Sequence, residues 1–315
     1  MKTLTVPSGF FCLLRNMIQP PFLKKGDIIG IPATARKISR EALAVAVQHI
    51  ESWGFRVRLG KNIFSTTHSY LSGSDDERVA DLQQMLDDHS IQAILCARGG
   101  YGTTRILDQL DFTAFLKNPK WVCGFSDITA LHLKLQSLNV QSIHSTMPVL
   151  FKETESSTSI ESFRKILLGE NTALEASTHS LNLSGKASGK VVGGNLSLLV
   201  DSLGTNSELD TEHKILIVEE IDEYIYKIDR LFVQLKRAGK LKNLSGLVVG
   251  HLTDIKDSEL PFGESVHQVI LNQIKEYNYP VGFGFPIGHE NPNLAWIEGA
   301  IGNLSVTKEK STLSF

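Results

Sequence analysis

Residues 91–138 read IQAILCARGGYGTTRILDQLDFTAFLKNPKWVCGFSDITALHLKLQSL, and their pattern decides the architecture. An apolar run at 91–97 closes on Arg98-Gly99-Gly100-Tyr101-Gly102. A helical stretch follows at 103–110, a second apolar run at 121–125, and another helical stretch at 127–138. Short apolar runs bounded by glycine read as buried strands, and longer periodic stretches as helices. Strands joined through helices by short connections call for a parallel sheet covered on both faces. In such sheets the site lies beyond the carboxyl ends of the strands, which singles out residues 98–102 and 124–127.

The same alternation extends in both directions. Upstream, residues 27–35 (DIIGIPATA) read as a buried strand, Ser39 as the N-cap of a helix carrying Leu43, Val45, Val47 and Ile50, and Gly54 as its stop. Residues 56–59 form the next strand, and Ser74-Asp75-Asp76-Glu77 matches a capping box ahead of Val79, Leu82 and Met85. Downstream, residues 152–187 are rich in Ser and Thr with weak periodicity and one expected helix near 160–168. A second strand–helix pattern then appears, with helices at 195–203, 227–238 and 265–277 and strands at 214–219, 246–251 and 281–286. The tail, 294–315, reads as short antiparallel strands. The expected organisation is a leader at 1–19, a first domain at 20–150, a linker at 151–187 and a second domain at 188–315.

Composition excludes classes without naming a function. The 315 residues exceed the roughly 250–300 at which single cores stop growing, in keeping with two domains. Lys+Arg total 32 against 34 Asp+Glu, a net charge of −2, which argues against a nucleic-acid partner. No stretch approaches the ~18 apolar residues of a membrane span, so no membrane association is expected. Three cysteines, Cys12, Cys96 and Cys123, are too few and too scattered for a disulfide framework or a zinc site. The first 19 residues lack a secretory cleavage site, and the sequence before Cys12 is a poor lipoprotein signal, so Met17 reads as a start after an extension.

Four segments carry chemistry. In Gly124-Phe125-Ser126-Asp127 a strand runs directly into a helix, placing the Ser126 hydroxyl above the sheet where helix N–H groups converge. This is the logic of a nucleophile elbow, although Gly is missing at Ile128 and Ser126 as a plain N-cap stands beside it. The Gly99-Gly100 loop lets backbone approach closely, as an oxyanion or phosphate site requires, or simply turns into a helix. It matches neither dinucleotide nor P-loop spacing. The strand at 214–219 ends in Glu219 and Glu220, either of which can orient a histidine or face solvent. His289 follows the strand at 281–286, with His251 and His144 as competing candidates. No histidine pair has zinc-binding spacing, so no metal and no cofactor are expected. Cys123 is a weaker nucleophile candidate, being placed inside a strand.

These segments occur together and in order with Leu23-Lys24-Lys25-Gly26-Asp27-Ile28-Ile29-Gly30-Ile31, Tyr70-Leu71-Ser72-Gly73-Ser74-Asp75, Gly193-Gly194-Asn195-Leu196 and Gly284-Phe285-Pro286-Ile287-Gly288-His289. From Pro21 to the C-terminus the chain resembles the LD-carboxypeptidases, a serine peptidase family that includes microcin C self-immunity proteins. The resemblance implies an α/β fold: an N-terminal parallel-sheet domain, flavodoxin-like and three-layered, and a smaller C-terminal mixed α/β domain with a barrel-like sheet. It implies Ser126 as nucleophile, His289 as base and Glu219 as the triad acid, with Glu220 one register away. Backbone N–H groups of Asp127, Gly99 and Gly100 would form the oxyanion hole, and Arg98 and Tyr101 are candidates for binding substrate. His144-Ser145-Thr146-Met147-Pro148 departs from the family's more usual His-Gly-Pro-Met. The implied reaction releases the terminal D-alanine of a murein tetrapeptide, which suits a cytoplasmic, dimeric enzyme of peptidoglycan recycling acting on a small peptide. Two alternatives remain: an amidohydrolase cleaving acyl-sulfamoyl or acyl-phosphoramidate adenylates, and a non-catalytic binding module on the same scaffold.

Overall fold

Alternating side chains along the first apolar runs supply both faces of one sheet. The computed structural model describes residues 17–151, 156–170 and 173–315. Strands β1 (Ile28–Ile31), β2 (Arg56–Leu59), β3 (Ile91–Leu95), β4 (Trp121–Gly124) and β5 (Ser142–His144) run parallel in the order β5-β4-β3-β1-β2. One face, bearing Ile29, Ile31, Ala93, Leu95 and Trp121, packs against helix α1 (Arg40–Ser52). The opposite face, bearing Ile28, Ile94 and Val122, packs against α2 (Asp75–Asp87), α3 (Thr103–Ile106), α4 (Thr113–Lys117) and α5 (Thr129–Ser137). Helix α6 (Ser157–Leu167) joins α1 on the first face, completing three layers. Ser39 caps α1 by accepting from the Ala42 amide at 3.1 Å, and Ser74 with Glu77 closes the capping box of α2, each cap contributing about 1 kcal/mol.

The second sheet has seven strands. Along the chain lie β6 (Ala173–Ser177), β7 (Gly185–Asn195), α7 (Leu196–Asp201), β8 (Lys214–Ile221), α8 (Ile225–Arg237), β9 (Gly246–Thr253), α9 (Val266–Ile274) and β10 (Val281–Phe283). Then follow β11 (Trp296–Glu298), β12 (Ile301–Val306) and β13 (Lys310–Ser314). The order is β10-β9-β8-β7-β12-β13-β6, with β7 to β10 parallel and the other half antiparallel. Just beyond β6, Leu183 exchanges two 3.0 Å backbone hydrogen bonds with Val281 of β10, so the sheet curls until its edges meet. That gives the barrel-like form.

Several stretches read differently in the structure. The helix expected near 160–168 is present as α6, whereas β6, in the same expected linker, is a strand of the second sheet. The 11-residue β7 escapes a pattern search because its first half, Gly-Lys-Ala-Ser-Gly-Lys, has almost no apolar alternation. β11 leaves the second sheet and pairs antiparallel with β5, so the tail binds the two sheets together. Residues 1–16, including Cys12, lie outside the described residues. Met17 is buried, and Ile18 bonds to Asn139 and Gln141 at 2.8 and 2.9 Å.

Close approach of β7 to its neighbours depends on two glycines. Gly193 has φ +151°, and a Cβ there would overlap the Ile217 carbonyl of β8. Gly194 has φ +123°, and a Cβ would lie 2.6 Å from Thr129 Oγ1 at the start of α5. Adding a methyl at Gly193 imposes both overpacking and a disfavoured backbone angle. Gly193→Ala should therefore destabilise the protein by roughly 3 kcal/mol; chemical denaturation measures this, and an unchanged midpoint would refute the packing described.

Candidate active site

Ser126 sits where β4 gives way to a turn of 3-10 helix continuous with α5. Phe125 is fully extended and Ser126 then adopts φ +62°, a left-handed angle that lifts the side chain out of the strand path. A non-glycine residue pays about 1–2 kcal/mol for that angle. Gly124 is required beneath it, because a Cβ would lie 2.9 Å from Ile128 Cγ1. The Gly124 carbonyl is held by the Ser145 amide at 3.0 Å and by His132 Nε2 at 2.9 Å. Since a carbonyl only accepts, His132 carries its proton on Nε2, and Nδ1 accepts from Ser142 Oγ at 2.8 Å. Burial pushes His132 down to about 4, so it stays neutral.

The two glutamates of β8 separate by strand alternation. Glu219, fully buried, places Oε2 2.7 Å from His289 Nδ1. Glu220 points the other way and accepts from Asn195 Nδ2 (2.8 Å), the Ser197 amide (2.8 Å) and hydroxyl (2.6 Å), and the Ile221 amide (2.9 Å). It anchors the start of α7. Burial raises its carboxyl above the usual range against the pull of these donors. The Asn195 amide in turn donates to Thr129 Oγ1 at 3.1 Å, joining this corner to the helix behind Ser126.

His289 reaches both partners because the chain after β10 runs beside an irregularity in β9. Val218 pairs with Val249 but Glu220 with Leu252, leaving Gly250 and His251 opposite Glu219. The His251 amide donates to the Ile287 carbonyl at 2.7 Å, and a Cβ on Gly250 would lie 2.5 Å from that carbonyl. Gly288, at φ +122°, passes close enough to Glu219 that a Cβ would lie 2.9 Å from Oε2. Asn293 Oδ1 accepts from the Gly288 amide at 3.0 Å and fixes the turn. His289 Nε2 then lies 3.0 Å from Ser126 Oγ, with Phe125 packed against the ring at 4.8 Å. Burial disfavours the imidazolium, but the charge and hydrogen bond of Glu219 outweigh it and raise the His289 pKa above its ordinary value.

The Gly-rich loop abuts the serine. A Cβ on Gly99 would lie 3.3 Å from Ser126 Oγ. Among the described residues, the amides of Gly99, Gly100 and Asp127 have no hydrogen-bond acceptor. Asp127 fixes the loop through its side chain, which accepts from the Thr103 amide at 2.9 Å, and the buried Arg78 donates to the Gly102 carbonyl at 2.8 Å. Nothing in the sequence distinguishes Arg78 or His132 from other polar residues on helices; only the tertiary structure brings them under the loop and the strand end. Arg98 donates to the Lys37 carbonyl at 3.0 Å, and the Tyr101 hydroxyl lies against the Arg105 side chain.

The competing candidates are accounted for. His144 is buried, stacks on Trp296 at 5.2 Å, and is pushed well below its ordinary pKa by burial. His251 accepts from the Glu290 amide at 3.3 Å. Cys123 lies inside β4, where burial raises its thiol well above the usual range. No group of three or more metal-ligating side chains occurs among the described residues, and no helix there is long and apolar enough to cross a membrane.

Ser126, His289 and the buried Glu219 lie within hydrogen-bond reach of one another in the order that a serine-type hydrolase requires. Residues 29–145 match the LD-carboxypeptidase N-terminal domain and residues 188–304 the LD-carboxypeptidase C-terminal domain; the chain belongs to this family of serine peptidases. It is 37% identical to a probable murein peptide carboxypeptidase of Bacillus subtilis, over 94% of this chain and 93% of that protein. It is 26% identical to the murein tetrapeptide carboxypeptidase of Pseudomonas aeruginosa, over 86% of this chain and 91% of that one. Among solved structures, muramoyltetrapeptide carboxypeptidase from Oxalobacter formigenes superposes with a TM-score of 0.84 at 26% identity, covering 91% of this chain and 98% of that one. The microcin C7 self-immunity protein with aspartyl sulfamoyl adenosine superposes at 0.83 and 22% identity, over 95% and 98%, a likeness of fold.

The left-handed angle at Ser126 makes a prediction independent of activity. Ser126→Gly should be more stable than Ser126→Ala by about 1 kcal/mol, because glycine adopts that angle without cost. Thermal melts of the two variants decide it, and equal or reversed midpoints would show that the angle is not strained.

Proposed function

We propose that this protein is a serine LD-carboxypeptidase that releases the terminal D-alanine from murein tetrapeptides through an acyl-enzyme. The observation that carries the reading is the His289 ring bonded at once to Ser126 Oγ and Glu219 Oε2, beside loop amides that have no acceptor among the described residues. Ser126 Oγ attacks the carbonyl of the L,D-peptide bond as its proton passes to His289 Nε2. Glu219 holds Nδ1–H, fixing the tautomer, and stabilises the imidazolium that forms. Amides of Asp127 and of the Gly99-Gly100 loop receive the developing oxyanion, at about 3–4 kcal/mol per donor. His289 returns its proton to the departing D-alanine amine, and water, deprotonated by the same imidazole, hydrolyses the ester and restores Ser126.

The same machinery would serve an acyl-sulfamoyl adenylate. The higher identity to a relative named for murein peptides, against 22% for the self-immunity protein, favours the muropeptide. Incubation with each substrate class followed by mass analysis separates them: D-alanine release supports the proposal, and turnover of the adenylate alone reverses it. Ser126→Ala should abolish release, whereas a fully active variant would end the serine mechanism.

The pH profile follows from the histidine. His289 must be neutral to accept the proton, and its raised pKa places the acid limb of kcat/KM above the ordinary histidine value. Removing the negative charge in Glu219→Gln should lower that pKa, moving the limb to lower pH, while the rate falls by roughly 10³–10⁴-fold. An unmoved limb would show that Glu219 does not set the protonation of the base.

A further inference from the structure

Two arginines that have no carboxylate partner among the described residues meet at the loop that borders Ser126: Arg98 on the loop itself and Arg36 on the segment between β1 and α1. The Arg36 amide donates to the Gly99 carbonyl at 3.4 Å, and its side chain lies across Gly100 so closely that a Cβ there would overlap it. The Arg36 guanidinium is stacked over the Tyr70 ring at 4.9 Å. Arg98, half-buried, is steadied by a 3.0 Å bond to the Lys37 carbonyl. Among the described residues neither arginine forms an ion pair with Asp or Glu. Burial and the neighbouring Arg36 charge both lower the pKa of Arg98, so the two cations repel each other across the rim of the site. An arrangement of like charges is unfavourable in the free protein and becomes favourable when an anion lies between them.

In a carboxypeptidase substrate such an anion is present at a fixed place. The C-terminal carboxylate of the leaving residue is three bonds from the scissile carbonyl carbon, so its binding group must lie within side-chain reach of the nucleophile. The 98–100 loop meets that condition, since Gly99 packs against Ser126.

We propose that Arg36 and Arg98 together form the subsite that binds the free carboxylate of the terminal D-residue and so restrict the enzyme to exopeptidase cleavage. This rests on the carboxypeptidase reading above. Two guanidinium forks on one carboxylate give both charge and planar geometry, which a single lysine does not reproduce.

The test compares release from a murein tetrapeptide with a free C-terminus and from the same peptide ending in a carboxamide. The ratio of kcat/KM for acid over amide is taken within each protein, so a general loss of structure cancels. The wild type should prefer the acid by about 100-fold, and Arg36→Gln and Arg98→Gln should each cut that ratio by roughly tenfold, mainly through KM. Arg36→Lys should retain part of the preference because it keeps the charge. A ratio unchanged in both glutamine variants, with D-alanine still released, overturns the subsite while leaving the carboxypeptidase reading intact. No release from either peptide by the wild type overturns the parent reading and the subsite with it.

Discussion

The His289 imidazole is the joint on which the structure turns. Its Nε2 lies 3.0 Å from Ser126 at the end of β4 in the first sheet, and its Nδ1 lies 2.7 Å from Glu219 on β8 in the second. The ring itself stands on the connection from β10, in the second sheet, to β11, in the first. Hydrogen bonds weaken steeply outside their distance and angle range, so a displacement of about 1 Å between the sheets would break one side of this bridge. Much of the surrounding structure prevents that displacement.

The restraints are unlike in kind but alike in direction. His132 and Ser145 hold the Gly124 carbonyl from below, and Asp127 holds the following loop through the Thr103 amide. On the other side Glu220 gathers Asn195 and Ser197, and the Asn195 amide reaches across to Thr129. Helix α6 closes the arrangement from behind, where Ser159 Oγ accepts from the Asn293 amide at 2.8 Å and Ser162 Oγ from the Ala295 amide at 2.9 Å. Glu220 thus shows how a second buried carboxylate, adjacent in sequence to the first, serves position rather than the histidine. The glycines at 193, 194, 250 and 288 permit the close backbone approaches on which these bonds depend.

Much of this was legible in the sequence, and what was not has a physical reason. The strand–turn–helix at 121–138 marked the parallel sheet and put Ser126 at the strand-to-helix turn, because its apolar run and its Gly-Phe-Ser-Asp turn are local features, but it left open whether that serine only capped the helix. The capping serines at 39 and 74 were likewise local. Glu219 and Glu220 were indistinguishable as text, since the choice depends on which face of β8 meets the turn from Gly288. β7 was missed because Lys, Ser and Gly line its exposed half, while its pairing partners lie far along the chain. The crossing of β11 to the first sheet had no local signature either, a short Trp-Ile-Glu strand being able to join any open edge. The roles of Arg78 and His132 depend wholly on tertiary contacts.

The central claim is that Ser126 is the hydroxyl that His289 activates. Labelling with a fluorophosphonate, which phosphonylates the nucleophilic hydroxyl of serine hydrolases with loss of fluoride, followed by peptide mass mapping, tests it most directly. A single modification on Ser126, formed much more slowly in His289→Gln, is the predicted result. Modification at another residue, or a rate at Ser126 indifferent to the loss of His289, would contradict it.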